Sequence, residues 1–402
     1  MIGRDNYLKQ IAPFIGAPMI KVITGIRRSG KSTLLTQIIE MIRSTDVADN
    51  QILYINKELY EFDSIKTYSD LHEFVQKNLD FKSKKCYLFV DEVQEIDQWE
   101  RAINSLLASS KIDIYITGSN ASLMSSELAS LLSGRYVEFK IFPLNYKEFR
   151  ALLLHRGRQQ ELKNSFALYQ RYGGFPGLHH IEWEDSIVRQ YLQSLYSTVL
   201  LKDVIVRNSI RDAALLEKIA EYIVDNSGNI TTANSISQFL KSQHRKASVE
   251  TVQSYIQHFI NGEVIRKVKR FDIKGKRLLE TFEKYYMTDH GFRFALLGYS
   301  PQDISGQLEN IVLLELLHRG YMVNIGKAGE FEVDFVAQRG DERLYLQVCS
   351  WLKSDKTIDR EYRSLEQIND HFPKLVLSLD KGFDTNRKGI MWKNIEDFLL
   401  MD

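Results

Sequence analysis

The sequence is poor in several features, and each shortage excludes a class of protein. No apolar run approaches the roughly 18 residues that a bilayer-spanning helix needs. The formal net charge is +1, so no global field draws nucleic acid or membrane to the chain, and any basic patch is local. Cysteine occurs twice, at Cys86 and Cys349, each time inside an apolar, strand-like run. That usage fits a reducing compartment and argues against a disulfide scaffold. Six prolines and 22 glycines leave little room for low-complexity linkers, and no repeat of solenoid or propeller period occurs. The opening MIGRDNYLKQ is charged from its fourth residue and has no apolar core, unlike a signal peptide. A cytoplasmic protein is expected.

What is present is globular. Hydrophobic residues make up 44% and charged residues 26% of 402, enough for two or three cores. From Ile20 to about Phe142, short apolar runs (IKVIT, QILYI, CYLFV, IDIYIT, RYVEFKIF) alternate with helical patterns such as KSTLLTQIIEMIRS and WERAINSLLASS. Runs that are apolar without alternation predict strands buried on both faces of a parallel sheet. The βαβα order predicts a three-layer α/β domain.

The first run leads into GIRRSGKST. Gly25, Gly30, Lys31 and Ser32 occupy the fixed positions of G-x-x-x-x-G-K-[ST], between a strand and a helix as that loop requires. The glycines let backbone N–H groups turn inward around phosphates at the positive end of the helix. Arg28 and Ser29 lie within the cradle. Lys31 would reach the β- and γ-phosphates, Ser32 would ligate Mg²⁺, and Thr33 would meet the α-phosphate. The nucleotide is read as ATP. The run CYLFV ends in Asp91 and Glu92, where the carboxyl end of a parallel strand faces the phosphate crevice. Asp91 is expected to hold Mg²⁺ through water, and Glu92 to polarise the attacking water. The next run ends TGSN, and its Asn120 is a candidate to orient that water from the other side.

These elements, with LLSGRYVEFKIFPLNYKEF behind them, resemble the AAA-type P-loop ATPases of bacteria and archaea. The branch they look like carries a winged helix and a restriction-endonuclease-like, PD-(D/E)XK tail. The resemblance implies that Asn120 is the sensor residue and Arg135 an arginine finger or a phosphate-sensing arginine, acting in cis or in trans. It also implies four regions: a P-loop core at 1–145, a helical lid at 146–208, a winged helix at 209–298 and a nuclease-like α/β domain at 299–402. The GGFPG stretch at 173–177 matches the branch's glycine–proline motif. His179 and His180 behind it have no companion ligands at metal-binding spacing and read as helix-end or surface residues.

Between 210 and 290, three short amphipathic helices precede two strands around a Lys-Gly turn. Arg266, Lys267, Lys269, Arg270, Lys274, Lys276 and Arg277 crowd that hairpin, with Lys241, Arg245 and Lys246 nearby. The cluster marks double-stranded DNA as a candidate partner, a protein partner being the alternative. Neutralising about five phosphates would give a log–log salt slope of roughly −4 to −5. Gln253, Ser254 and Gln257 on the third helix would read base edges.

In the tail, Glu309 lies on a helix, and Glu330, Glu332 and Asp334 alternate onto one face of a strand. Where the nuclease pattern asks for a carboxylate and a lysine, the chain has Gln347 and Cys349. An amide carbonyl can meet a metal but brings no charge, and hard divalent cations favour carboxylates; a thiol cannot replace an ammonium. Lys353 is the nearest substitute. The tail therefore reads as catalytically degraded. The whole reads as a slowly hydrolysing, nucleotide-dependent switch coupled to DNA or protein. The alternatives are an adaptor with structural nucleotide and an ATP-gated nuclease.

Overall fold

The structure, a computed structural model, describes residues 2–80, 85–109, 111–118, 132, 134–300, 304–382 and 386–401. It divides into two compact units, Met1–Phe142 with Asn261–Glu263 and Pro143–Ile260 with Val264–Asp402.

The first unit is built on a parallel sheet of β1 (Ile20–Thr24), β2 (Ile52–Asn56), β3 (Cys86–Asp91), β4 (Ile112–Gly118) and β5 (Tyr136–Lys140), in the order β2-β3-β4-β1-β5. Every residue of β1, β3 and β4 is buried, whereas the edge strands β2 and β5 are largely half-buried. That contrast is why the inner runs are continuously apolar. The helix Trp99–Ala108 buries Trp99, Ala102, Ile103, Leu106 and Leu107, the spacing of a single helix face. Each large side chain so covered contributes about 1.5–3 kcal/mol.

One charged residue interrupts β1. Lys21 is fully buried and ion-paired to Asp113 of β4. The Gly16 N–H and the Tyr115 hydroxyl also donate to that carboxylate, at 2.7 and 3.0 Å. Burial pulls the Lys21 ammonium below its usual pKa, and Asp113 works against that pull.

In the second unit, the helices Tyr146–His155, Ser165–Tyr172 and Asp185–Val199 precede a π-helical segment, Leu200–Val206. Three helices follow, Ala213–Asp225, Ala233–Ser242 and Val249–Asn261, then the hairpin of β6 (Ile265–Asp272) and β7 (Arg277–Met287). After the helices Gly291–Leu297 and Ile304–His318 come β8 (Met322–Ala328), β9 (Phe331–Arg339) and β10 (Glu342–Val348). The helix Asp355–Glu366, β11 (Lys374–Ser378), β12 (Asn386–Arg387), β13 (Ile390–Asn394) and the helix Ile395–Leu400 complete the chain.

These strands form one eight-stranded sheet, β12-β13-β11-β10-β9-β8-β6-β7. The basic hairpin is thus not a free-standing wing. β6 pairs in parallel with β8 through Arg270–Ile325, Phe271–Gly326 and Asp272–Lys327, so the sheet runs across the boundary expected at 298. A Lys-Gly turn announces the β6–β7 pair, but nothing local announces a third strand some fifty residues on.

The GGFPG stretch packs tightly. The Leu144 N–H donates to the Gly174 carbonyl at 2.7 Å, and a Cβ on Gly174 would stand 2.1 Å from the Leu144 carbonyl oxygen. The buried Asp289 carboxylate accepts the N–H groups of Gly174 and Gly291, each at 2.8 Å. His179 is not a surface residue. It is buried, edge-on to Phe149 and Trp183 with centroids 4.8 and 5.4 Å away. Its neighbour His180 is exposed and lies 2.9 Å from the Arg156 guanidinium.

Candidate nucleotide site

β1 ends at Thr24, and the chain turns through Gly25 to the helix Lys31–Arg43. Gly25 has φ 148°, and a Cβ there would lie 2.2 Å from the Ile141 carbonyl oxygen. Gly30, at φ 99°, begins the helix with no side-chain cap. These are conformations that glycine alone adopts without strain. The Leu34 N–H closes the first helical bond onto Gly30. The helix start therefore offers N–H donors with no intrahelical partner, at its positive end. Ser29 is wholly buried, and its hydroxyl has no hydrogen-bond partner among the described atoms. The donors present, uncapped amides, a free hydroxyl and an ammonium, are those that a polyphosphate takes.

Lys31 is 4% exposed. Its Nζ donates to the carbonyls of Gly25 at 3.2 Å and Ile26 at 3.4 Å and lies 3.7 Å from Glu92 Oε1. Ser32 and Thr33 are half-buried in the same turn, and Arg28 is exposed.

Because β4 lies between β1 and β3, the ends of these three strands meet. The Thr117 hydroxyl donates to Asp91 and accepts the backbone N–H of Glu92 at 3.0 Å. The Tyr54 hydroxyl, from β2, donates to the other Asp91 oxygen at 3.1 Å. Burial first, and then Asp91, push the Tyr54 phenol well above its usual pKa. Glu92 sits in the left-handed region at φ 57°, ψ 53°, a strain of about 1–3 kcal/mol that is typical of functional sites. Its carboxylate also accepts from the Gln94 amide. Two hard-oxygen groups, Asp91 and Ser32, suit Mg²⁺.

Arg4 is the residue that sequence reasoning passed over. It is 3% exposed, and its guanidinium donates to the carbonyls of Ser29 at 3.1 Å and Phe142 at 2.8 Å. The Gln37 side chain accepts its backbone N–H at 3.0 Å. The phosphate loop is thereby tied to the N-terminal segment. Thr117, Tyr54 and Gln94 were also missed as contacts of Asp91 and Glu92, although Thr117 lies in the TGSN run already singled out.

Arg135 is not brought to this cluster. It is exposed, and its carbonyl accepts the Ile20 N–H at 2.9 Å. That places it at the amino-terminal edge of β1, about 13 Å of strand from Thr24. Asn120 lies outside the described residues.

Residues 17–150 match the model of an AAA domain family, and residues 163–303 match that of a domain of unknown function. An uncharacterized protein of Haemophilus influenzae is 35% identical over 400 residues, 100% of this chain and 99% of that one. An uncharacterized protein of Methanocaldococcus jannaschii is 30% identical over 405 residues, 96% of this chain and 86% of that one. Among solved structures, a Walker-type ATPase of Pyrococcus abyssi superposes with a TM-score of 0.52 at 15% identity, over 74% of this chain and 96% of that one. Among the described residues, no helix is long and apolar enough to cross a membrane. Matched over 96% or more of this chain, the Haemophilus and Methanocaldococcus proteins belong with it to one family, and the phosphate loop described above lies in its AAA-type P-loop ATPase domain.

Proposed function

We propose that the protein hydrolyses Mg²⁺-bound ATP slowly and acts as a switch between nucleotide states. The observation that carries this reading is the continuous chain from Thr117 through Asp91 and Glu92 to Lys31. Lys31 would exchange the carbonyls of Gly25 and Ile26 for the β- and γ-phosphates. Leaving Glu92 for phosphate would also free that carboxylate to act as a base. Ser32 would hold Mg²⁺ directly and Asp91 through water; the ion would neutralise charge on the β- and γ-phosphate oxygens. Glu92 would take a proton from the attacking water as its oxygen bonds to the γ-phosphorus. The bond from that phosphorus to the β–γ bridging oxygen breaks, and its electron pair leaves with ADP. Asn120 is assigned the opposite side of that water.

Arg135, at the far edge of the sheet from the phosphate loop, fits service to a neighbouring copy better than service in cis. The partner is proposed to be duplex DNA, met by the hairpin and by the helix Val249–Asn261, whose Gln253, Ser254 and Gln257 are exposed. Lys269, Lys274, Lys276 and Arg277 are exposed as well, whereas Lys267 is paired with Glu283 at 2.5 Å.

The test is direct. Lys31→Ala should abolish ATP binding, and Glu92→Gln should bind ATP without turning it over. Equal hydrolysis by wild type and both variants would overturn the reading. Turnover far below roughly 0.01 per second, unchanged by DNA, would favour an adaptor with structural nucleotide. The ties of Glu92 to Lys31 and Gln94 are the feature that suits that second reading.

A further inference from the structure

Three carboxylates converge in the tail: Glu309 on the helix Ile304–His318, and Glu332 and Asp334 on β9. A nuclease-like domain would hold a divalent cation among such groups. The residues present do not fit one. Lys284, brought by β7 of the basic hairpin, is 3% exposed. Its Nζ stands 2.8 Å from Glu332 Oε1, 3.4 Å from Glu309 Oε2 and 4.0 Å from Asp334 Oδ1. Tyr286, two residues along the same face of the strand, donates to the same Glu309 oxygen at 2.9 Å.

The remaining groups are engaged elsewhere. Asp334 Oδ2 accepts the Val348 N–H at 2.8 Å. Gln347 Oε1 accepts the Asp334 N–H at 3.4 Å and the Ser364 hydroxyl at 3.2 Å. The Cys349 thiol is buried and donates to the Leu377 carbonyl at 3.7 Å. Lys353, the substitute suggested by sequence, is exposed, its ammonium 5.8 Å from the Trp351 ring centroid. A divalent ion draws oxygens to about 2.0–2.6 Å, whereas an ammonium donates hydrogen bonds to them at about 2.8 Å and beyond. Among the described residues, no group of three or more His, Cys, Asp and Glu is disposed to hold a metal ion.

We propose that the Lys284 ammonium is the resident cation of this acidic cluster, standing in place of a divalent metal and clamping the basic hairpin to the tail. The tail is then a metal-independent module, with a nuclease-like layout whose reaction centre has become an internal ion-pair network. Charge balance agrees. Burial pushes the Lys284 ammonium toward neutrality, but Glu309, Asp334 and Glu332 outweigh it and hold its pKa above the usual value. Burial, and next the Glu309 charge, drive the Asp334 carboxyl well up, with Lys284 opposing. Burial likewise raises Glu309 against the pull of Lys284. One ammonium thus sits beside two carboxylates, Glu309 and Asp334, that burial drives toward the protonated form. The clamp does not depend on what happens at the phosphate loop, so it can fail or hold independently of the ATPase reading.

The experiment uses the full chain without nucleotide, and Mn²⁺ as the probe. In wild type, the melting temperature should be the same in millimolar Mn²⁺ and in EDTA. Electron paramagnetic resonance should find no bound Mn²⁺ whose signal depends on Asp334. Lys284→Ala should gain one Mn²⁺ site, lost again in Lys284→Ala/Asp334→Asn. If Lys284→Ala does not fold, Lys284→Ala/Glu309→Gln removes a carboxylate with the ammonium and should give the same gain. Wild type that binds Mn²⁺ and loses it in Asp334→Asn would overturn the proposal. So would a folded Lys284 variant with no added affinity for the ion.

Discussion

Thr117 and Glu92 are joined across two strands: the threonine hydroxyl accepts the glutamate's backbone N–H at 3.0 Å while donating to Asp91. One side chain of β4 thus sets the position of both acidic residues at the end of β3. Thr117→Val keeps the shape but leaves the Glu92 N–H buried without an acceptor, a penalty of about 1–3 kcal/mol. Steady-state kinetics should show kcat reduced by roughly tenfold or more with little change in KM, the signature of a loss specific to the transition state. Thr117→Ser should restore most of the rate. An unchanged kcat in Thr117→Val would remove this threonine from the site.

Arg135 supplies a second test, because it sits at the wrong edge of the sheet for its own phosphate loop. If it serves a neighbouring copy, wild-type turnover per molecule should rise with protein concentration. Arg135→Ala should flatten that rise by a factor of about 10³ or more in the limiting rate, the range of an arginine finger. Mixing Arg135→Ala with Lys31→Ala should regain some activity, since each supplies what the other lacks. A rate independent of concentration in wild type would exclude the shared site.

The sequence displays these parts unequally, for a physical reason. The phosphate loop is eight consecutive residues whose backbone does the binding, so its identity is local. Asp91 and Glu92 close an apolar run and are visible from that contrast alone. Thr117 acquires its role only when β4 pairs with β3, 26 residues away in the chain. Lys284 reads as one more charge on a basic hairpin until β9 and the helix Ile304–His318 pack around it. The hairpin itself is announced by its turn, but its parallel pairing with β8 is a long-range event. Arg4 is equally silent, since a charged residue near a chain start ordinarily faces water, and only the fold shows it 3% exposed.

That burial makes Arg4 testable. Its guanidinium satisfies the Ser29 and Phe142 carbonyls together, and hydrogen bonds to charged groups are each worth about 1.5–3 kcal/mol. Arg4→Ala should lower the melting temperature and weaken ATP binding at the same time, because Ser29 belongs to the phosphate loop. Arg4→Lys should rescue little, since a point ammonium lacks the fork that spans two carbonyls. Calorimetric titration of ATP into each variant separates the two effects. Full affinity in Arg4→Ala would show that the tie is structural alone.

The last prediction concerns acid. Burial, then the Arg158 charge, hold the His179 imidazole down at about 3, against about 6.5 in an unfolded chain. Burial likewise holds His290 down at about 4, although its bond to the Tyr169 carbonyl works the other way. Below pH 6.5 the unfolded chain takes up protons that these folded rings refuse. The stability they contribute is therefore complete above about pH 6.5 and is lost as the pH falls toward 3 or 4. Asp289 opposes them. Burial lifts its carboxyl to about 7, despite the N–H groups of Gly174 and Gly291. Its contribution is complete below pH 3.8 and is lost as the pH rises through 7. Between pH 4 and 6.5 the two histidines outnumber the one aspartate, and these three groups leave a net slope of about 1.4 kcal/mol per pH unit. His179→Phe keeps an aromatic ring between Phe149 and Trp183 and removes one titration. The slope of unfolding free energy against pH should then drop by about 1.4 kcal/mol per unit in that window, and denaturant titrations at several pH values measure it. An unchanged slope would mean that His179 is already protonated inside the fold, or that it stays unprotonated in the unfolded chain as well.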